Sequence, residues 1–306
     1  MTLATLAEVL KKANKGNYAV GAFNTSNLEV TKAIIDAAEL QDAPVILQTS
    51  VGGLNYAGFD YLFSIAKTAA ADPGVPVVLH LDHCADLKLI KKCIDAGYSS
   101  VMFDGSLLPF EKNVELTKQV VKMAREKNVS VEAELGTIGG AEDTVKSRRI
   151  IYTDPQKASE FAAETEIDAL AIAIGTSHGA YKFNDSTNQL DIKRLSTIKK
   201  ATQMPLVLHG ASVVPRDLVS LSQDFGAILG SVQGVSEKEL KKSVKNGINK
   251  VNVDTDLRLA FTAALRQSIM KNPREFDPRK LLLPSIQLMQ NIVEGRIKLL
   301  GSSGKA

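Results

Sequence analysis

PVVLHLDH (76–83) passes from apolar to chemically capable within eight residues, and its pattern decides the fold. Pro76 opens the run, Val77, Val78, Leu79 and Leu81 fill it, and Asp82 and His83 end it. A short apolar run with this punctuation predicts a strand buried on both faces, as in a parallel sheet. The pattern recurs at 18–23 (YAVGAF), 44–49 (PVILQT), 99–104 (SSVMFD), 129–135 (VSVEAEL), 168–174 (DALAIAI), 204–209 (MPLVLH) and 248–253 (INKVNV). Amphipathic stretches at 28–40, 110–127 and 237–246 separate these runs and predict helices. Eight β/α alternations predict a closed (β/α)8 TIM barrel, with extra helices at the N- and C-terminal ends. The competing doubly wound sheet needs a glycine fingerprint after its first strand, and here GAFN (21–24) runs into TSNLEV.

Composition narrows the classes. The 306 residues are 44% hydrophobic, enough for one continuous core, and no stretch is long enough to span a membrane. A net charge of +3 comes without a dense basic block, so neither nucleic acid nor membrane is an expected partner. Two cysteines, Cys84 and Cys93, imply no disulfide framework, and the first segment is too broken for a signal-peptide core. A cytoplasmic location is expected.

Two stretches interrupt the alternation. Residues 136–154, hinged at Gly139 and Gly140, are long for a loop following a strand and predict a lid. Residues 271–306 continue past the eighth helix, with a last helix expected over about 284–300 and a place in a subunit interface. No linker divides the chain, so 1–306 is read as a single domain.

Three of the four histidines, His83, His178 and His209, stand where a predicted strand gives way to a loop. Active sites of barrels lie at those ends. Three converging imidazoles make the ligand set of a catalytic zinc with an open position. His80 precedes His83 by three residues, so alternation directs the two to opposite faces and His80 is expected to be structural. Asp82 and His83 are adjacent, and both reach one site only if the backbone turns there. A zinc held by neutral imidazoles polarises a carbonyl, and Asp82 is the expected proton carrier. The loops HGAS (209–212) and NVDTDLR (252–258) suit a phosphate: Gly210 and Ser212 allow close backbone approach, and Asp254 and Thr255 open a helix.

With GAFN (21–24), HLDH (80–83), SVMFDGS (100–106), VSVEAELG (129–136), GGAED (139–143), AIGTSHG (173–179), LVLHGAS (207–212), KVNVDTDLR (250–258) and DPRK (277–280), the chain resembles class II, metal-dependent fructose-1,6-bisphosphate aldolases of the shorter bacterial type, end to end. The resemblance implies reversible cleavage of fructose 1,6-bisphosphate to dihydroxyacetone phosphate and glyceraldehyde 3-phosphate. It implies zinc on His83, His178 and His209, and a displaced metal position at Asp104 and Glu134. Asp82 would act on the C4 hydroxyl and Glu142 on the C3 proton. Asn24, Ser50, Gly179, Gly210, Ser212, Asn252, Asp254 and Thr255 would contact substrate, and backbone carbonyls near the phosphate would hold Na+ or K+. Arg279 would reach the other phosphate from a neighbouring subunit, which makes a homodimer or homotetramer the expected state. The chain departs from the family pattern at Cys84, Leu107 and Val213. Cys84 would place a thiol beside the metal.

Other readings remain open from sequence. A tagatose-1,6-bisphosphate aldolase shares the fold and the chemistry, and Asp254 favours the fructose enzyme. Lys250 in the eighth strand is the candidate for a Schiff-base aldolase. A metal-dependent phosphoesterase or a sugar-phosphate-binding barrel would keep the rim and lose the aldol step.

Overall fold

A computed structural model describes residues 3–71, 73–142, 145–147, 150–177, 179, 189–230 and 232–306; the side chains of 141, 142 and 145–147 also lie outside that description. Ten strands are present among these residues: β1 (Val20–Asn24), β2 (Val45–Ser50), β3 (Val77–Cys84), β4 (Ser100–Phe103), β5 (Ser130–Leu135), β6 (Gly140–Glu142), β7 (Val145–Ser147), β8 (Ala169–Ile172), β9 (Leu206–Leu208) and β10 (Ile248–Val253). Eight of them close into a parallel barrel in the order β1-β10-β9-β8-β5-β4-β3-β2, and β6 and β7 form a separate antiparallel pair. The expected (β/α)8 barrel is the observed one. The stretch read as a lid carries the β6–β7 pair.

Alternation along each strand sorts the side chains into two layers. Leu47, Leu79, Leu81, Phe103, Val131, Leu170, Leu208 and Val253 join the apolar core shared with the surrounding helices. Val20, Ala22, Ile46, Val78, Ala169, Ala171 and Val207 form a second, inner cluster. That cluster is completed by Leu6, Val9, Leu10 and Ala13 of the first helix, Leu6–Gly16, which plugs the barrel at the N-terminal ends of its strands. The plug starts cleanly because Thr5 and Glu8 form a capping box, each satisfying the other's backbone N–H.

The last helix spans Pro278–Leu300 and starts six residues before the expected boundary at 284. Asp277 caps it by accepting from the Arg279 N–H, Pro278 fits the first turn, and Pro284 sits inside the helix without ending it. Its buried stripe of Ser285, Met289, Val293, Arg296, Ile297 and Leu300 packs against the helices Thr255–Lys271 and Leu28–Leu40 of the same chain.

Candidate active site

Register builds the mouth of the barrel. Asn24 lies opposite Gln48, Gln48 opposite His80 and Ser50 opposite Asp82, so neighbouring strands deliver polar side chains at one level. Asp82 is fully buried and accepts three hydrogen bonds: from Asn24 Nδ2 (3.0 Å) and Gln48 Nε2 (3.1 Å) on Oδ2, and from Asn252 Nδ2 (3.0 Å) on Oδ1. Neutral amides from three strands therefore aim both carboxylate oxygens. Gln48 was not foreseen; its place one turn of the pleat below Ser50 was the only signal for it.

His83 resolves the adjacency problem. Its φ is 43°, in the left-handed region that non-glycine residues rarely adopt, and the β3–β4 register shifts between Leu81 and Cys84. The bulge resets alternation, so Asp82 and His83 both face the mouth and Cys84 returns to the outer apolar core. Such strain persists where the surroundings over-determine it, and here it serves the site. The same reset corrects the expectation for His80, which shares the interior with the site instead of facing away. It is fully buried, with Nδ1 2.8 Å from Ser100 Oγ and Nε2 3.8 Å from Glu132. Burial, then the Lys250 ammonium, hold its pKa well below the usual histidine value. Cys84 offers no metal-side thiol: its Sγ turns to the Asp86 carbonyl, and burial pushes its pKa up to about 11.

His83 and His209 meet edge to face, 4.5 Å between ring centres. His83 Nδ1 lies 2.8 Å from Asp104 Oδ2, and His209 Nδ1 lies 3.0 Å from Glu134 Oε2. Burial pushes the Asp104 carboxyl up, but the His83 hydrogen bond and charge, with the Ser106 N–H, outweigh it and hold the group below the usual carboxylate range. Burial, reinforced by Asp104, pushes Glu134 well above its ordinary value. His209 Nδ1 and Glu134 Oε2 thus face each other at hydrogen-bond distance, where an arriving cation would take the place of the proton between them. Gly105 is required here: a Cβ at 105 would run into the Asn113 amide, whose Nδ2 donates to the Glu134 carbonyl at 3.0 Å.

Two donor groups fit a metal. Ligand atoms of Asp82, His83 and His209 lie within 4.8 Å of one another, as do those of His83, Asp104 and Glu134, and all are buried. Four buried carboxyls, of Asp82, Asp104, Glu132 and Glu134, share this network with one buried ammonium, Lys250, among the described residues. Mixed imidazole and carboxylate donors with surplus buried negative charge suit a divalent cation. His178 lies outside the described residues, as does the Glu142 side chain.

The phosphate-side residues are arranged around the same rim. Gly210 (φ 59°) and Gly179 (φ 83°) both use left-handed backbone. Asn252 and Ser212 are buried, and the Ser212 carbonyl accepts from Val235 N–H. Asp254 and Thr255 start the helix Thr255–Lys271, and Asp254 pairs with Arg258 at 2.7 Å. Asp256, unforeseen, is fully buried and binds the Val213 and Val214 N–H groups and Arg296 (3.0 Å), tying the loop after β9 to the last helix. Ser50 Oγ accepts from Gly53 N–H and caps the helix Val51–Ala57. A cavity of about 470 Å3 beside the mouth is lined by Asn24, Ser50, Tyr56, Asp254, Arg258 and Phe261. Arg279 stands apart: its side chain is 89% exposed and its guanidinium binds Asp277.

Comparison with known proteins agrees with this geometry. The family described as fructose-bisphosphate aldolase class-II matches residues 4–305. A fructose-bisphosphate aldolase of Helicobacter pylori is 45% identical over 301 residues, 97% of this chain and 98% of that protein. One from Thermus caldophilus is also 45% identical, over 99% of this chain and 100% of its own length. The crystal structure of the YdjI aldolase from Escherichia coli K12 superposes with a TM-score of 0.80 at 30% identity, covering all of both chains. Sequence, barrel and mouth chemistry agree, and the chain belongs to the class II fructose-bisphosphate aldolase family.

Proposed function

We propose that the protein cleaves fructose 1,6-bisphosphate reversibly to dihydroxyacetone phosphate and glyceraldehyde 3-phosphate, with zinc at the His83, His178 and His209 position. The observation that carries this reading is the convergence of Asp82 with two buried metal-competent donor groups at the C-terminal end of the barrel. When bound, zinc supplies a Lewis acid for the ketone carbonyl and for the negative charge left at C3 after cleavage. Asp82 takes the C4 hydroxyl proton as the C3–C4 bond breaks, releasing glyceraldehyde 3-phosphate. Glu142 then returns a proton to C3 of the dihydroxyacetone phosphate half. In condensation both proton movements reverse.

Asn24, Ser50, Gly179, Gly210, Ser212, Asn252, Asp254 and Thr255 bind the substrate in this reading, with a monovalent cation, Na+ or K+, on nearby backbone carbonyls. Asp104 and Glu134 take the metal in a displaced position, which their contacts with His83 and His209 support. Arg279 serves the partner subunit of a homodimer or homotetramer. Its exposure beside Phe276 (90%) and Leu283 (63%) supports that assignment. The same reading places the segment 271–306 at the subunit interface and the protein in the cytoplasm. No helix among the described residues is long and apolar enough to cross a membrane.

The test is cleavage of fructose 1,6-bisphosphate by chelator-stripped protein before and after reloading with zinc, with tagatose 1,6-bisphosphate assayed in parallel. Loss on stripping and recovery at about one zinc per chain is expected from three protein ligands and one open position. Full activity in the stripped protein would overturn the metal assignment. Faster cleavage of the tagatose sugar would reassign the epimer.

A further inference from the structure

Lys250 is a fully buried ammonium at the centre of the barrel, and the aldol reading gives it no chemical step. Its Nζ lies 3.0 and 3.2 Å from the two oxygens of Glu132 and 2.7 Å from Asn252 Oδ1. Nζ donates to Glu132 Oε1 and to Asn252 Oδ1, and Glu132 Oε2 faces it as an ion-pair contact. Each acceptor leads to one half of the site. Glu132 Oε1 lies 2.9 Å from His209 Nε2, and Asn252 Nδ2 donates to Asp82 Oδ1 at 3.0 Å.

We propose that Lys250 is a positioning residue that sets the metal histidine His209 through Glu132 and the proton carrier Asp82 through Asn252. The inference rests on the aldolase reading. The metal arm works through tautomer choice. Glu132, paired with Lys250 at 3.0 Å, accepts the Nε2–H of His209, which leaves the Nδ1 lone pair for a metal. The proton-transfer arm works through amide direction. The ammonium can only donate, so it holds Asn252 with its oxygen toward Lys250 and its NH2 toward Asp82. Without that restraint the amide can turn and present its oxygen to the carboxylate, which repels it. Burial makes both restraints strong, because an unpaired charge or donor in this interior is costly. The same contacts answer the Schiff-base alternative: an amine hydrogen-bonded to Asn252 and ion-paired with Glu132 is not the free amine that attacks a ketone.

Lys250→Met and Glu132→Gln separate the arms. Zinc affinity is read by chelator competition, and cleavage is read at saturating zinc. For Glu132→Gln we expect zinc binding weakened about 10–100-fold, the range for loss of a partner behind a ligating histidine, with a smaller fall in kcat at saturating zinc than Lys250→Met shows. For Lys250→Met we expect the same zinc loss together with a fall in kcat of at least about tenfold and little change in KM, because Asp82 is misdirected. Should Lys250→Met fail to fold with Glu132 left unpaired, the neutral double variant Glu132→Gln/Lys250→Met carries the same expectation. Folded variants with wild-type zinc affinity and kcat would overturn the proposal. So would borohydride trapping of substrate on Lys250. Wild-type holoenzyme that binds zinc but cleaves no sugar bisphosphate would instead overturn the aldolase reading, and chelator competition would still test the metal arm.

Discussion

The two halves of the barrel interior are built on opposite principles. Toward the N-terminal ends of the strands, Val20, Ile46, Val78, Ala169, Ala171 and Val207 close over Leu6 and Leu10 of the plug helix. From mid-strand to the C-terminal ends, the barrel interior carries Glu132 and Lys250, then Asp82, His83, Glu134 and His209, all buried. The lower half gains free energy from burial of apolar surface. The upper half concentrates like charges and a left-handed histidine, an arrangement that stability alone would not select. The contrast divides labour along the barrel axis: one end holds the fold and the other stores the chemistry.

That division breaks first, if it breaks at all, at His83. Replacing His83 by alanine removes a ligand common to both donor groups. Cleavage should fall by roughly 10³-fold or more, since a Lewis acid contributes several kcal/mol at the transition state. Stability of the metal-free protein should stay within about 1 kcal/mol of wild type: the left-handed backbone at 83 remains, since alanine keeps its Cβ, and the imidazole removed is one of a group of crowded buried polar side chains. Thermal unfolding of chelated protein checks this. A large loss of stability would show that the mouth also holds the fold.

Leu10→Ala is the converse experiment. Leu10 is fully buried in the plug, and truncation should destabilise the protein by about 2–5 kcal/mol. Turnover per folded molecule should remain within twofold of wild type. Denaturant unfolding beside steady-state kinetics decides it, and a matching loss of kcat would mean that the plug shapes the mouth.

The strand framework was readable because parallel strands buried on both faces advertise themselves as apolar runs, and each run ended in the residues that line the mouth. Asp82, Asn24, Asn252 and the histidines at 83 and 209 were accessible for that reason. The left-handed turn at His83 was not, because a one-residue bulge leaves no mark in composition, and it reversed the face assigned to His80. Nor was the pairing of Lys250 with Glu132 visible, since the two lie 118 positions apart and meet only when the barrel closes. Asp256 reads as part of a helix start, yet its carboxylate holds the loop after β9, a contact that depends on Arg296 of the last helix. The Pro284 boundary misled for a local reason: a proline predicts a helix start unless an earlier cap, here Asp277, has already begun the helix.

The smallest effect compares two lysines. Lys250 inside the barrel has Glu132 as a partner, whereas Lys199 is half-buried near the N-terminal ends of β9 and β10 and bonds neutral acceptors, the Met204 carbonyl and Asn249 Oδ1 (2.8 Å each). Burial without an anion pushes the Lys199 pKa down from 10.5 to about 8. Between those values the unfolded chain holds more protons than the folded one, so stability rises with pH through that window and is flat below it. The protein should therefore gain on its Lys199→Met variant from pH 8 to 10.5, by less than about 1 kcal/mol after solvent screening of a half-exposed group. Paired urea titrations at pH 7.5 and 10 read the difference directly, with both pH values flanking most of the roughly two-unit window. A gap that narrows or stays constant would mean that Lys199 is charged in both states and that the N-terminal end of the barrel tolerates a paired or hydrated ammonium as well as the interior does.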